Sequence, residues 1–236
     1  MPSIDGNRAY IHFNSFGNSV TAYFISGLGA DSTIFRNLRL PEEVSVKHIR
    51  WIEPGQDEAF KAYCRRLAAQ VNKEEEIVLI GLSFGGLAAV ELGRILNPKM
   101  IILISTIGTR KEMPLRLRFL SWCRLHRLLP AALLKWPNRL LYWFFGADAA
   151  EERALIRFYT ENSSANYLRW AIDAVVRWQN SERPLNTFHI HGTKDRIFPA
   201  SLTKAEHLVK DGGHLIVYNK AAEVSDVLGK KLKALQ

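Results

Sequence analysis

Cysteine is scarce in this chain, and the spacings that give cysteine or histidine a metal-binding role are missing. The two cysteines, Cys64 and Cys123, lie far apart without Cys-x-x-Cys spacing, so they predict neither a disulfide framework nor a structural zinc site. None of the seven histidines has a second histidine four residues away, and the glycine patterns of phosphate-binding and dinucleotide-binding loops are absent. We therefore expect neither a metal ion nor a cofactor.

Secretion signals and long apolar runs are also missing. The first six residues contain no basic segment leading into an apolar run, so we expect no secretory signal and a cytoplasmic location. Hydrophobic residues make up 47% of the chain and charged residues 23%, which excludes disordered, collagen-like and multi-span membrane proteins. A length of 236 residues favours one domain that carries an insertion.

Positive charge is concentrated in one part of the chain. The whole chain carries a formal net charge of +9, and the segment from Arg110 to Arg139 holds eight cations against one acid, Glu112, which is 8 − 1 = +7. Tryptophan, tyrosine and phenylalanine are interspersed with these cations up to Phe145. The segment 110–145 is thus suited to contact an anionic substrate or a membrane surface, or to expose a solvated helix face. We expect no nucleic-acid partner.

Apolar strand-like runs alternate with helical periodicity over most of the chain. The pattern predicts an α/β protein with a mostly parallel central sheet and helices on both faces. Residues 109–183 interrupt the alternation with helical segments divided by prolines, so we expect a helical cap there and a core formed by 1–108 and 184–236. Predicted strands cover 20–26, 44–52, 77–80, 100–104, 185–190 and 208–209, an N-terminal hairpin begins at 9–16, and helices cover 57–72 (capped by Asp57), 84–96 and 221–235.

The sharpest local motif is Gly81-Leu82-Ser83-Phe84-Gly85-Gly86, which fits G-x-S-x-G between an apolar strand and a helix. A serine at the apex of such a turn has a strained backbone, and the flanking glycines remove Cβ atoms that would collide. The helix N-terminus beneath the turn supplies backbone N–H groups suited to an oxyanion. Ser83 is therefore the candidate nucleophile.

A serine nucleophile needs a base and an orienting acid, and both follow in the chain. Asp195 lies in the loop after a predicted strand, and His214 follows two glycines that let the loop swing its imidazole over Ser83. Asp211 is a weaker alternative because it is too close in sequence to reach the far nitrogen of His214. For His189 and His191 we expect ordinary hydrogen bonding in the core or a loop.

The motifs at 81–86, 191–199 and 212–214 together resemble the α/β-hydrolase superfamily. The resemblance implies Ser83 as nucleophile, His214 as general base and then acid, and Asp195 as the orienting carboxylate. It also implies that the backbone N–H groups of Leu28 and Phe84 form an oxyanion hole.

The sequence departs from that family in two ways. Ser26 stands where many relatives have a histidine, which removes a side chain that often supports the oxyanion loop. The N-terminal strands are also fewer, so we expect a trimmed sheet of six or seven strands.

The resemblance implies hydrolysis of a carboxylic ester or thioester through an acyl-enzyme, with a small-molecule acyl substrate. Serine at the elbow argues against the dehalogenase and epoxide-hydrolase branches, which need a carboxylate nucleophile. Two alternatives stay open: a non-catalytic ligand-binding protein on the same fold, and a lipid ester hydrolase that docks on a membrane through its basic cap.

Overall fold

A computed structural model describes residues 20–123, 135–136 and 138–235. The described residues form one sheet of six strands, all parallel, in the order β2-β1-β3-β4-β5-β6. This confirms the α/β fold with a parallel sheet. The strands are β1 Thr21–Ile25, β2 Ser45–Ile49, β3 Ile77–Leu82, β4 Met100–Ile104, β5 Thr187–Gly192 and β6 His207–Val209.

The strand order reverses between β1 and β3, because the chain adds β2 on one side of β1 and every later strand on the other. Loops at the carboxyl ends of strands beside such a reversal diverge and leave a crevice, which is where parallel sheets bind ligands. Ile25 pairs with Gly81 in register, so the loop after β1 and the loop after β3 leave the sheet side by side.

Helices cover both faces of the sheet. They are α1 Phe60–Leu67, α2 Phe84–Leu96, α3 Leu115–Cys123, α4 Arg139–Phe145, α5 Ala150–Asn162, α6 Ala165–Arg177, α7 Ile216–Asn219 and α8 Ala221–Lys233. Successive strand residues point to opposite faces, so Tyr23 and Leu79 join one buried apolar cluster with α1, α2 and α6. Phe24 and Ile80 join a second cluster with α5, α7 and α8.

The helices between β4 and β5 contribute to both clusters. Leu168 and Ala171 of α6 lie in the cluster that contains α2, whereas Leu155 and Ile156 of α5 lie in the cluster on the other face. α3 packs against α6. These helices therefore share the core of the sheet, and the division of the chain at residues 109 and 183 stays a prediction.

The predicted and observed bounds of the helices and strands agree best where the local signal is strong, as for the helix predicted at 84–96, which is α2. The prediction that Asp57 caps the helix at its start is wrong, whereas a 3-10 helix, Ala68–Gln70, continues the helix close to its predicted end. Asp57 has φ 52°, which differs from the extended backbone of an N-cap, and the turn from Gly55 to Glu58 postpones the helix to Phe60.

Two further predictions concern the start of the fifth strand and the N-terminal hairpin. The predicted strand at 185–190 begins instead at Thr187, because Leu185 is fully exposed and makes no ladder. The N-terminal hairpin lies outside the described residues. Within the part of the chain that the structure describes, no helix has the length and apolar character needed to cross a bilayer.

Candidate active site

Ser83 occupies a sharp turn between β3 and α2. Its backbone has φ 53° and ψ −118°, a region that non-glycine residues rarely adopt and that costs on the order of 1–3 kcal/mol. Three hydrogen bonds hold it there: Ser83 N–H donates to Ile104 O (2.9 Å), and Ser83 O accepts from Gly86 N–H (2.9 Å) and the Thr106 hydroxyl (2.7 Å). The strained turn is thus held rigidly, and Ser83 itself is only partly buried.

The glycines around Ser83 are needed for close backbone approach. A Cβ on Gly81 would overlap the carbonyl group of Gly85, and a Cβ on Gly85 would overlap the carbonyl oxygens of Ile25 and Ser26. The turn can therefore close, and α2 can lie against the end of β1, only because both positions lack side chains. This confirms the steric reason for the glycines in the motif.

The structure brings Ser83, His214 and Asp195 together from three loops. His214 Nε2 lies 2.8 Å from Ser83 Oγ, and His214 Nδ1 lies 2.8 Å from Asp195 Oδ2. His214 and Asp195 are both buried, with 1% and 4% of the residue surface exposed. An acid, an imidazole and a hydroxyl in this arrangement can move a proton from Ser83 Oγ to His214.

The surroundings of Asp195 keep its carboxylate ionised. Oδ1 accepts from the backbone N–H groups of Ile197 (2.8 Å) and Phe198 (2.9 Å), which leaves Oδ2 for His214. Burial alone would raise the pKa of Asp195, but the neighbouring imidazoles of His214 and His191 and the Phe198 N–H outweigh it, so the pKa lies below its usual value. A carboxylate that stays charged at neutral pH can hold the Nδ1–H tautomer of His214.

The His214 ring is fixed by packing. The ring of Phe145, from α4, meets it edge-on at 5.3 Å and 87°, and Phe198 lies 6.0 Å away on another side. The expectation that two glycines let the loop swing stays a prediction. Gly192 has no room for a Cβ because the backbone of Gly212 lies against it, so the missing side chain of Gly192 lets this loop pack closely at the end of β5.

The loop after β1 lies beside Ser83. A Cβ built on Gly27 would sit 3.6 Å from the Cβ of Ser83, so Leu28 follows within reach of the same crevice. Ser26 supports this loop despite replacing a histidine: its hydroxyl donates to Ala30 O (2.6 Å) and accepts from the Trp51 indole N–H (3.0 Å). Trp51 also donates to Gly27 O (3.2 Å). Leu28 and Phe84 as oxyanion donors stay a prediction.

His189 and His191 lie directly behind Asp195, and the structure brings both into its hydrogen-bond network. Both are fully buried; His189 Nε2 lies 3.0 Å from His191 Nδ1, and His191 Nε2 lies 2.7 Å from Phe198 O. His191 Nε2 is also 3.5 Å from Asp195 Oδ2. The expected hydrogen bonding is present, but its place next to the acid was not predicted. The available signal was the alternation of histidines on the strand that directly precedes Thr193-Lys194-Asp195.

Hydrogen-bond chemistry assigns the tautomers of this pair. Phe198 O can only accept, so His191 Nε2 carries a hydrogen and the Nδ1 of neutral His191 is an acceptor. His189 Nε2 must then donate to it, and His189 Nδ1 carries no hydrogen and has no hydrogen-bond partner among the described residues. The chain of donors from His189 through His191 anchors the Phe198 carbonyl and with it the loop of Asp195.

The buried histidine pair predicts a pH dependence of stability. Burial holds the pKa of His189 well below 6.5 and lowers that of His191, so below pH about 6.5 the unfolded chain binds protons that the folded chain does not. The free energy of unfolding should therefore fall as the pH falls. Urea titrations between pH 6.5 and 5 measure how steeply the free energy of unfolding depends on pH. In His189→Leu this slope should be smaller than in wild type by as much as about 1.4 kcal/mol per pH unit.

The control for this experiment lies in the same titrations above pH 7.5. Neither state protonates these imidazoles there, so the slopes of wild type and His189→Leu should coincide even if the variant is less stable overall. Equal slopes below pH 6.5 would contradict a neutral His189 in the folded protein.

Asp211, the alternative acid, makes neither of the two contacts of the His214 imidazole, which are with Asp195 and Ser83. Asp211 is exposed and its carboxylate forms an ion pair with Lys194 Nζ at 2.8 Å. Asp195 holds the Nδ1 position of His214 instead. The geometry therefore favours Asp195 over Asp211, as the sequence did.

A cleft of about 350 Å³ opens beside the loop after β1. Gly29 and Ala30 of that loop line one side, Trp51 lies at one end, and Tyr159 and Tyr167 from α5 and α6 form the other side. A larger groove of about 1090 Å³ runs between residues 53–61 and α6. Ser83, Asp195 and His214 line neither depression. The smaller cleft is linked to the site through Trp51, whose ring stacks on Phe84, the residue after Ser83, at 4.9 Å.

A comparison with models of protein families shows to which family the chain belongs. Residues 22–227, most of the chain, match the model of the alpha/beta hydrolase family. The chain belongs to the alpha/beta hydrolase family. The resemblance drawn from the three motifs is thereby confirmed, and the match runs continuously through α3 to α6. A comparison with curated protein sequences finds no significant match.

Solved structures of several alpha/beta hydrolases are similar to this chain. The RedJ thioesterase of prodiginine biosynthesis in Streptomyces coelicolor has a TM-score of 0.65 at 18% identity, over 91% of each chain. A thermophilic esterase from Thermogutta terrifontis has 0.61 at 18%, over 92% of this chain and 91% of its own. A meta-cleavage product hydrolase from Pseudomonas fluorescens has 0.65 at 16%, over 93% of both. At such identities the likeness shows the shared fold.

Proposed function

We propose that this alpha/beta hydrolase is a serine hydrolase that cleaves a carboxylic ester or thioester through an acyl-enzyme. The observation that carries the proposal is the continuous contact from Ser83 Oγ to His214 Nε2 (2.8 Å) and from His214 Nδ1 to the buried Asp195 carboxylate (2.8 Å). The esterase and thioesterase among the similar structures agree with the reaction class.

The first half of the proposed reaction acylates the enzyme. Ser83 Oγ attacks the substrate carbonyl carbon while its proton moves to His214 Nε2, and Asp195 stabilises the imidazolium that forms. The bond to the leaving group then breaks, and the alkoxide or thiolate takes the proton from His214. The acyl group is left on Ser83.

The second half releases the acid. A water molecule gives a proton to His214 Nε2 and attacks the acyl carbon, and the protonated imidazole then returns the proton to Ser83 Oγ as the acid leaves. In both halves the carbonyl oxygen becomes negatively charged. We assign its stabilisation to the backbone N–H groups of Leu28 and Phe84, since the loop after β1 and the N-terminus of α2 flank Ser83.

The environment of the site favours an apolar acyl chain. Trp51 and the two tyrosines line the 350 Å³ cleft beside the loop after β1, and Phe145 covers His214. Aromatic side chains desolvate an alkyl or aryl group, and Trp51 connects this cleft to the site because its ring stacks on Phe84, next to Ser83. The helical segments of 109–183 that provide Tyr159, Tyr167 and Phe145 are the part of the chain we propose as the substrate cap.

A panel of acyl esters and acyl thioesters of graded chain length tests the proposal. Wild type should hydrolyse at least one series with a chain-length optimum, because a cleft of fixed volume accepts only acyl groups that fit it. Ser83→Ala should hydrolyse none above the uncatalysed rate. Tight binding of panel members by both proteins, with no turnover by either, would support the non-catalytic alternative and overturn the enzyme.

A further inference from the structure

The outward faces of α3 and α4 are unusually apolar for helices in contact with water. On α3 the residues Leu115, Phe119 and Trp122 follow one another at spacings of four and three, so they lie on one face. They are 76%, 59% and 80% exposed. A surface helix normally presents charged residues on this side, and here three large apolar side chains face the solvent.

The opposite side of α3 already has its packing partners. Leu117 packs against the buried cluster that contains α2 and α6. The apolar outward stripe is therefore additional to the face that holds the helix on the protein. Arg116 and Arg118 emerge at the two borders of the stripe and are both exposed.

α4 repeats this arrangement. Leu141 and Phe145 pack inward against the second buried cluster, whereas Leu140 and Trp143 point outward with 63% and 53% of their surface exposed. Arg139 is exposed on the same side. Both helices thus show aromatic and aliphatic side chains flanked by arginines.

Contacts with the Asp195 loop link the two helices. The Arg116 guanidinium lies over the Phe144 ring at 5.4 Å and donates to the Ile197 carbonyl at 2.9 Å. Arg196 lies over the Trp143 ring at 4.7 Å and donates to the Trp143 carbonyl at 2.8 Å. The two outward faces are therefore attached to the loop that carries the acid of the site, next to His214.

We propose that the outward faces of α3 and α4 dock on the surface of an anionic lipid bilayer. Aromatic and leucine side chains bordered by arginines are the composition of helices that lie in the membrane interface, with the apolar groups among the acyl chains and the cations among the phosphates. Among the described residues the exposed Arg116, Arg118 and Arg139 border this face, and the sequence segment 110–139, which overlaps it, carries +7, a charge that complements an anionic leaflet.

The same charge disfavours a second copy of the chain as the occupant. Joining two such faces would bring the exposed Arg116, Arg118 and Arg139 of two copies together, and like charges oppose each other across an interface. Lipid phosphates instead neutralise the arginines while the apolar stripe leaves water. Docking is a property of the surface and does not depend on the proposed hydrolysis.

Vesicle co-sedimentation of the full chain tests docking. Wild type and Ser83→Ala should both sediment with vesicles of phosphatidylcholine and phosphatidylglycerol at low salt, and sedimentation should decrease with pure phosphatidylcholine or high salt. Replacing Leu115, Phe119 and Trp122 together by serine should lower the partition coefficient on the order of tenfold or more. Their exposure means that the fold should be kept, which thermal unfolding checks.

The matched control replaces three exposed apolar residues elsewhere, Phe158, Leu185 and Leu208, by serine. This variant should sediment like wild type. No sedimentation of wild type with anionic vesicles, or equal sedimentation of the two triple variants, would overturn the proposal. So would a dimer in analytical ultracentrifugation that only the α3 variant loses, since a second copy would then be the occupant.

A charge reversal separates the electrostatic part of the binding. Arg118→Glu with Arg139→Glu should weaken sedimentation at low salt and have less effect at high salt. Lys230→Glu with Lys233→Glu makes the same change in net charge on the exposed side of α8 and should retain more binding. Equal losses in both variants would mean that net charge alone attracts the protein, and would overturn a specific docking face.

Discussion

Replacing Ser83 by alanine should abolish covalent labelling by a fluorophosphonate probe and lower kcat for the best substrate of the panel by at least about 10⁴-fold. The reason is that Ser83 Oγ is the atom in contact with His214 Nε2, and alanine removes this proposed nucleophile. The fold should survive, because the Ser83 side chain makes no capping hydrogen bond to α2 and alanine keeps the same Cβ. Gel-based labelling and steady-state kinetics measure both effects.

Ser105 provides the matched control for this substitution. It follows the neighbouring strand β4, is fully buried and has φ 48°, so Ser105→Ala imposes a similar backbone demand. Its Oγ has no hydrogen-bond partner among the described residues and no imidazole to activate it. Ser105→Ala should keep wild-type labelling, whereas undiminished labelling of Ser83→Ala would refute Ser83 as the nucleophile.

Replacing Asp195 by asparagine should lower kcat by about 10⁴-fold with little change in KM. Oδ1 can still accept from Ile197 and Phe198, so the amide NH₂ group takes the place of Oδ2 and faces His214 Nδ1. His214 must then accept at Nδ1 and carry its hydrogen on Nε2, where it cannot take the Ser83 proton. The loss of charge also removes the stabilisation of the imidazolium.

Asp211→Asn is the control for this variant. Asp211 lies three residues before His214, but it is exposed and its contact is with Lys194. Its substitution should leave kcat within about twofold of wild type, as surface changes do. If Asp195→Asn turned over at a wild-type rate and Asp211→Asn did not, the acid would have been assigned to the wrong carboxylate.

The sequence was sufficient to predict features that arise from short-range constraints. The G-x-S-x-G turn and the bounds of α2 depend on residues within a few positions of Ser83, because glycine spacing decides whether the turn can close. Continuous apolar runs also predicted the buried parallel strands, because a strand covered on both faces has apolar residues at successive positions. The order of Ser83, Asp195 and His214 along the chain was also readable, since each follows its own motif.

Local patterns misled where a neighbouring turn changed the backbone. Asp57 has the side chain of a helix cap, but the turn from Gly55 to Glu58 gives it a positive φ and delays α1. Ser26 looked like the loss of a support for the oxyanion loop. Trp51, which is 25 residues away, completes that support, and no local pattern connects the two.

Only the tertiary structure decided the features that depend on distances between residues far apart in the chain. Strand register places His189 and His191 behind Asp195, and packing between Gly192 and Gly212 sets where His214 enters. The same holds for α3 and α4: the sequence left open whether this segment meets an anionic substrate, a membrane or only solvent, and packing decided which of its apolar residues are exposed. A helix has several faces, and which one meets the core follows from where the rest of the chain supplies partners, which residue spacing alone does not specify.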